Sequence, residues 1–168
     1  MSKSGRNYAI GSLCTILLAL LAGCASPFPK EMLAKVDKKI LFTDLLKDPG
    51  RYQGAWVMLA GMIVETRNTR EGAAIEVLQK PQDSRGRPLQ TDDSDGRFII
   101  LSSEYLDAAV YHKGRLITVV GEVTGQRIQP LGEIEYRYPL LRASSMHLWE
   151  PYSTGPRFQF GIGVMHVR

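Results

Sequence analysis

The stretch RLITVVGEVTGQR, residues 115–127, decides the fold. It is dense in β-branched residues, which favour extended backbone because their side chains pack well on a pleated surface. Gly121 interrupts the run, and a glycine inside a strand indicates a bulge or a bend. We therefore predict a strand that bends at Gly121 and places Val119 or Val120 in a hydrophobic core.

Other segments on both sides of this one also predict strands. In the first of them the apolar alternation shifts at Gly61, from a face that starts at Trp56 to a set that starts at Met62, and a bulge is expected there. The polar link 66–72 predicts a hairpin. Pro139 predicts an edge or a bulge in the last strand. The segments are residues 55–68, 73–81, 97–102 and 136–149.

Two short helices are expected beside the strands. One follows Leu41, with Thr43 as its N-terminal cap and Leu45 turned inward. The second is predicted over residues 102–114, with Leu106 in its apolar stripe. A helix between the third and fourth of five strands is typical of the oligonucleotide/oligosaccharide-binding (OB) barrel. The predicted fold is therefore all-β with short helices, a small five-stranded OB-like barrel.

The N-terminus has the pattern of an export signal. Residues 9–22 are apolar, but a bilayer-spanning helix needs about 20 apolar residues. Lys3 and Arg6 precede the run, as in signal peptides. A buried helix is disfavoured because the run lacks a polar face. The run ends in Leu21-Ala22-Gly23-Cys24, which resembles the bacterial lipobox: the first three residues would be recognised by the peptidase, and Cys24 would carry the lipid.

The chain accordingly divides into four parts. After removal of the signal, which contains Cys14, Cys24 is the only cysteine, so no disulfide within the chain is expected. The tail alternates apolar and small residues from Phe158 to Val164 and is expected to pair with the barrel, a partner or lipid. The parts are a lipoprotein signal peptide (1–23), a lipidated tether (24–40), the OB-like domain (41–150) and a Gly/aromatic tail (151–168).

Charge and composition exclude some functions. The chain has 21 basic and 17 acidic residues, a net charge of +4, which does not indicate a nucleic-acid partner. Asp92–Gly96 resembles part of a calcium loop, but Thr91 and Ser102 occupy positions where an EF-hand needs acidic ligands. His112, His147 and His166 are too dispersed to predict a metal site. We expect neither a metal nor a cofactor.

Two groups of polar residues are candidates for binding. Arg85, Arg87, Arg97 and Arg115 lie in or beside glycine-containing turns, and guanidinium groups suit phosphate or carboxylate. The alternative is that each is a solvated turn residue. Glu65, Arg67 and Asn68 form a second polar cluster at the end of a strand.

A pair of carboxylates is the candidate for catalysis. Glu65 and Glu76 could face each other across the first hairpin, and paired carboxylates can hydrolyse glycosides. Cross-strand acids on a solvated face are far commoner, so we do not predict an enzyme.

Residues 41–149 resemble the Slp-type starvation-inducible outer-membrane lipoproteins. The segments that carry the resemblance are DPGRYQG, GMIVETRN, IEVLQKPQDSRGRPLQTDDSDGRF, YLDAAVYHKGRLITVVGEVTG, YRYPLL and HLW. The resemblance implies a lipid-anchored, periplasm-facing protein of the outer membrane, associated with stationary phase and envelope stress. It implies no catalytic residues.

The expected function is that of a non-enzymatic structural or binding module of the Gram-negative envelope. Its expected partners are the membrane, through the N-terminal lipid, and an envelope protein or glycan. Two alternatives remain open. One is a module that binds periplasmic glycan or anionic polymer, and the other is an enzyme that acts on envelope polymers.

Replacing Cys24 by Ser tests the anchor. The variant should lose lipidation and remain as an uncleaved precursor at the inner membrane, because the hydroxyl cannot form the thioether. Stable anchoring takes more than one acyl chain. Fractionation and mass spectrometry of the N-terminus provide the measurement. A Cys24→Ser protein found in the outer membrane at the wild-type level would contradict the prediction.

Overall fold

The computed structural model describes residues 26–152 as an all-β domain with short helices. The predicted lipobox, with Cys24, and the tail beyond Tyr152 lie outside the described residues. The helices are α1 (Lys30–Leu33) and α2 (Phe42–Lys47), followed by a 3-10 turn over Pro49–Tyr52. The strands are β1 (Trp56–Thr69), β2 (Gly72–Gln79), β3 (Arg97–Ser102), β4 (Leu116–Leu131) and β5 (Ile134–Trp149).

The five strands close into a barrel in the order β1-β2-β3-β5-β4, which confirms the predicted fold class. Closure depends on β1, whose first half pairs with β4 and whose second half pairs with β2. All neighbours are antiparallel except β3 and β5, which run parallel over a short stretch. The barrel interior is filled by apolar side chains from all five strands and by Phe42 and Leu45 of α2.

The predicted bend of β4 is present at Gly121. The pairing of β4 with β5 shifts register between Val120 and Gly121. A Cβ atom at Gly121 would collide with the carbonyl oxygen of Arg142, so only glycine permits this approach of the strands. Val119 and Val120 are both fully buried, and Val119 belongs to the core.

The predicted bulge of β1 lies further along the strand than the sequence indicated. The register shifts between Ile63 and Glu65 rather than at Gly61. Glycine is needed at position 61 for a different reason. A Cβ atom there would collide with the carbonyl oxygen of Leu78. The core face of the strand is the one with Val57 and Ile63, and the opposite face starts at the half-buried Trp56.

The helix predicted over residues 102–114 is wrong, because this segment forms turns. The Asn68 side chain accepts from the Leu106 N–H at 3.0 Å and donates to the Leu106 carbonyl at 2.8 Å. A helix would need that carbonyl for the Val110 N–H, which instead donates to Asp107. Leu106 is buried while Val110 is 47% exposed, so a single anchor residue replaces the expected apolar stripe.

The helix predicted after Leu41 is present as α2, with Leu45 fully buried. Its N-terminal cap is Leu41 rather than Thr43, and no side chain caps it. The Phe42 ring packs edge-on against Phe98 of β3, with ring centroids 5.9 Å apart. This contact fixes α2 on the barrel core.

Val119→Ala tests the core assignment. Removing two methyl groups from a fully buried site should lower the free energy of unfolding by about 1–3 kcal/mol. Val110→Ala, at a position that is 47% exposed, is the matched control and should change it by less than about 0.5 kcal/mol. Urea denaturation measures both, and equal effects at the two positions would contradict the assignment.

Candidate functional site

The four arginines predicted as an anion-binding group occupy three separate places. Arg97 forms an ion pair of 2.6 Å with Glu76 on the β2–β3 face. Arg85 lies 3.8 Å from Asp83 in the loop between β2 and β3. The other two converge on Glu150: Arg87 donates to its carbonyl at 2.8 Å, and Arg115 lies 3.4 Å from its carboxylate.

The predicted cluster of Glu65, Arg67 and Asn68 also separates. Arg67 donates two hydrogen bonds to the Glu65 carboxylate, at 2.7 and 2.6 Å, while Asn68 holds Leu106. The hydrogen bond from Arg67 is the main cause that lowers the pKa of Glu65. Glu65 and Arg67 therefore satisfy each other, while Asn68 is engaged with the backbone of Leu106.

Glu65 and Glu76 are cross-strand partners, as the sequence suggested. Each is paired with its own arginine, and the buried Tyr138 hydroxyl lies 3.4 Å from Glu76. Burial, together with the charge of Glu76, raises the pKa of Tyr138, so the phenol stays protonated and donates to that carboxylate. A glycosidase acid needs a raised carboxyl pKa, whereas the pKa of Glu65 is lowered.

The sequence did not indicate the cleft of about 480 Å³ that lies beside this network. Three arginines line it: Arg70 from the β1–β2 turn, Arg127 from β4 and Arg142 from β5. Gly72 permits the turn to approach β3, since its φ is +124° and a Cβ there would collide with the carbonyl of Ser102. The remaining polar lining consists of Thr69, Glu71, Ser102 and Ser103. We name this site the arginine cleft.

Within the described residues, few acidic groups neutralise the positive charge of the arginine cleft. Within residues 26–152, Arg70 and Arg127 form no ion pair, and Arg142 reaches Glu122 only at 3.8 Å. Glu71 is the one acidic residue among those that line the cleft. Guanidinium groups bind phosphate or carboxylate through paired hydrogen bonds, and the serine hydroxyls add donors. The cleft can therefore receive an anionic group.

The outer face of the barrel carries a second cluster, under the loop between β2 and β3. Thr118 donates to the Gly86 carbonyl at 2.6 Å and accepts from the Trp149 indole at 2.9 Å. Arg87 stacks over the Tyr152 ring, with 4.1 Å from its guanidinium carbon to the ring centroid. His147 packs edge-on against Trp149. The long polar loop is therefore fastened to the barrel by these contacts.

The described part of the chain shows neither a metal cluster nor a spanning helix. Residues 26–152 contain no group of three His, Cys, Asp or Glu side chains placed to hold a metal ion. His112 is exposed, His147 lies in the outer cluster, and His166 is outside the described residues. None of the helices in this range has the length and apolar character to cross a bilayer.

The fold and the site define an OB-like domain with a cationic cleft between the β1–β2 turn and the β4–β5 hairpin, where OB folds bind their ligands. The chain belongs to the outer membrane lipoprotein Slp family, whose model matches residues 21–161. It is thus an envelope lipoprotein of the outer membrane.

Two relatives were identified among curated proteins. Uncharacterized lipoprotein YeaY of Escherichia coli (strain K12) is 26% identical over 153 residues, which cover 86% of this chain and 74% of YeaY. An uncharacterized protein of Haemophilus influenzae is 33% identical over 94 residues, which cover 55% of this chain and 51% of that protein. The names of these two relatives mention neither a ligand nor a reaction.

Because His147 lies in the outer cluster, we predict that the stability of the protein depends on pH. Burial lowers the pKa of His147 below its usual 6.5, so the folded protein prefers the neutral ring while the unfolded chain takes up a proton near pH 6.5. The contribution of the neutral His147 ring to the free energy of unfolding is therefore complete above pH 6.5. It is lost as the pH falls from there to the lowered pKa.

Urea denaturation between pH 7.5 and pH 5.5 measures this effect. The free energy of unfolding should fall across the range in the wild type and fall less steeply in His147→Gln. His112→Gln, at an exposed histidine, is the matched control and should retain the wild-type slope. Equal slopes for the wild type and His147→Gln would contradict the prediction.

Proposed function

We propose that the protein is anchored to the outer membrane by lipid on Cys24 and that its barrel faces the periplasm as a non-enzymatic binding module. Membership of an outer-membrane lipoprotein family supports the anchor. The lipobox-like residues 21–24 fall within the range that the family model matches. In this proposal the lipid supplies the location, and the barrel supplies the recognition.

The arginine cleft is the proposed binding site, and its ligand is an anionic envelope glycan that carries phosphate or carboxylate groups. The observation that carries this proposal is the convergence of Arg70, Arg127 and Arg142 on one cleft, whose lining within residues 26–152 contains a single acidic residue. The volume of about 480 Å³ and the flanking hydroxyls suit part of a sugar chain with one charged group.

The state of the carboxylates favours binding over catalysis. Glu65 and Glu76 are both paired with arginines, and the pKa of Glu65 is lowered. A carboxylate held as an ion cannot act as the acid that glycoside hydrolysis requires. We further propose that this binding role belongs to stationary phase and envelope stress, as the resemblance to the Slp-type lipoproteins implies.

A protein partner is the second candidate, and the β4–β5 hairpin favours it. β1 pairs with β4 only over Leu116–Glu122, and β3 pairs with β5 only over Leu140–Arg142. Among residues 26–152, the hairpin beyond these contacts has no further strand partner, and its Ile128 and Ile134 are 55% and 60% exposed. Such edges can accept a strand from another chain.

The double variant Arg70→Ala/Arg127→Ala tests the proposed site. The probe is a periplasmic oligosaccharide that carries phosphoglycerol groups, titrated calorimetrically into the wild type and the variant. Loss of two charge-assisted hydrogen-bonding groups should weaken binding about tenfold or more. Added salt should weaken wild-type binding more than variant binding, since less charge attraction remains in the variant.

Arg51→Ala/Lys113→Ala is the matched control, because it removes the same charge from exposed positions outside the cleft. It should bind the probe as the wild type does. Equal weakening in the two double variants would indicate a general charge effect and contradict the cleft. A dephosphorylated probe that binds equally well would contradict recognition of the anion.

A further inference from the structure

We propose that the outer face of the barrel around Ser26, Phe28 and Arg85 lies directly on the membrane surface and contacts anionic lipid headgroups. This inference rests on the proposed lipid anchor at Cys24 and adds an orientation to it. The partner surface is the phospholipid leaflet that holds the lipid. The segment 26–40, which the sequence suggested as a tether, is the part of the fold that sets this orientation.

The start of this segment is packed on the barrel. Phe28 is only 4% exposed, and its ring lies edge-on to His147 of β5, with centroids 6.4 Å apart. His147 in turn packs against Trp149, so Phe28 extends the aromatic cluster of the outer face. An apolar side chain buried here resists release of the segment, because release would expose it to water.

Two further contacts hold the segment after α1. The Lys35 ammonium lies 4.8 Å from the centroid of the Trp56 ring. The Asp37 N–H donates to the Trp56 carbonyl at 2.9 Å, which joins the segment to the first residue of β1. The segment is therefore attached at both ends and does not extend freely from the domain.

The distance from this attachment to the proposed lipid is short. The Ser26 hydroxyl donates to the Arg85 carbonyl at 3.4 Å. Cys24 precedes Ser26 by two residues, and two extended residues span at most about 7 Å. A lipid on Cys24 thus leaves the barrel little room to separate from the leaflet that contains the acyl chains.

The charges at this surface suit anionic headgroups. Arg85 is partly exposed, and the carboxylate of its ion-pair partner Asp83 lies 3.8 Å away. Along the segment, Lys30, Lys38 and Lys39 are exposed, against the acidic Glu31 and Asp37. Basic residues close to a membrane are attracted to anionic lipid within about a Debye length.

The tip of the β4–β5 hairpin is separated from this surface by the length of β4 beyond Thr118 and provides an internal reference. Thr118 is paired with His147 beside Phe28, and β4 continues from there to Leu131 before the chain turns. Thirteen residues of strand span at most about 40 Å along the chain, and the bend at Gly121 makes the direct distance shorter. A label near Glu133 should therefore report a barrel position remote from the leaflet.

Lipid-dependent quenching tests the orientation in the full lipidated protein. A fluorophore is attached at Ser84→Cys or at Glu133→Cys, each the sole free thiol once Cys24 is lipidated. Each labelled protein is reconstituted in vesicles of phosphatidylethanolamine and phosphatidylglycerol that carry a quencher on the lipid headgroup. Quenching at position 84 should exceed that at position 133 several-fold.

Two variants release the barrel in different ways. Phe28→Ala removes the buried ring, and a twelve-residue Gly/Ser insertion between Ala25 and Ser26 lengthens the connection by about 20 Å without changing the barrel. Both should reduce quenching at position 84 by at least half. Arg85→Glu should reduce it in vesicles with phosphatidylglycerol and not in vesicles of phosphatidylcholine alone.

Flotation of the same vesicles separates the two proposals. Protein that does not float with the vesicles contradicts the lipid anchor, and the orientation fails with it. Protein that floats but is quenched equally at positions 84 and 133 contradicts the orientation and leaves the anchor in place. Unchanged quenching at position 84 in the insertion variant would likewise overturn the docked arrangement.

Discussion

The close approach of β4 and β5 at Gly121 is the contact on which the rest of the structure depends. The backbone of Gly121 meets the Arg142 carbonyl where a side chain would collide. The register shift at this point bends the hairpin, so that one part of β4 pairs with β1 and closes the barrel while the remainder extends beyond it. The arginine cleft and the outer cluster both include residues from this hairpin.

The β4–β5 hairpin supplies residues to both the arginine cleft and the outer cluster. Arg127 and Arg142 line the arginine cleft, whereas Thr118, His147 and Trp149 belong to the outer cluster that receives Phe28. Because these residues belong to the same paired strands, one hairpin holds both the arginine cleft and the outer cluster. A lipid on Cys24 would thereby set the position of the cleft in the periplasm as well as the position of the barrel.

Several polar residues that the sequence indicated as candidate site residues make contacts within the fold instead. Asn68 uses its amide to hold both backbone groups of Leu106, which is why residues 102–114 form turns although their apolar spacing indicates a helix. Glu65 and Glu76 each pair with an arginine. Spacing along a chain reports amphipathicity, but it does not report which backbone groups a distant side chain will occupy.

The sequence by itself determined the fold class, the five strands and the bend at Gly121, because these follow from local side-chain preference and periodicity. The lipobox-like residues 21–24 lie outside the described residues and stay a prediction. The position of the β1 bulge and the arginine cleft were decided only by the tertiary structure. Arg70, Arg127 and Arg142 lie far apart in sequence, and strand register together with barrel closure brings them to one cleft. Register depends on the packing of every strand at once, and no single segment encodes it.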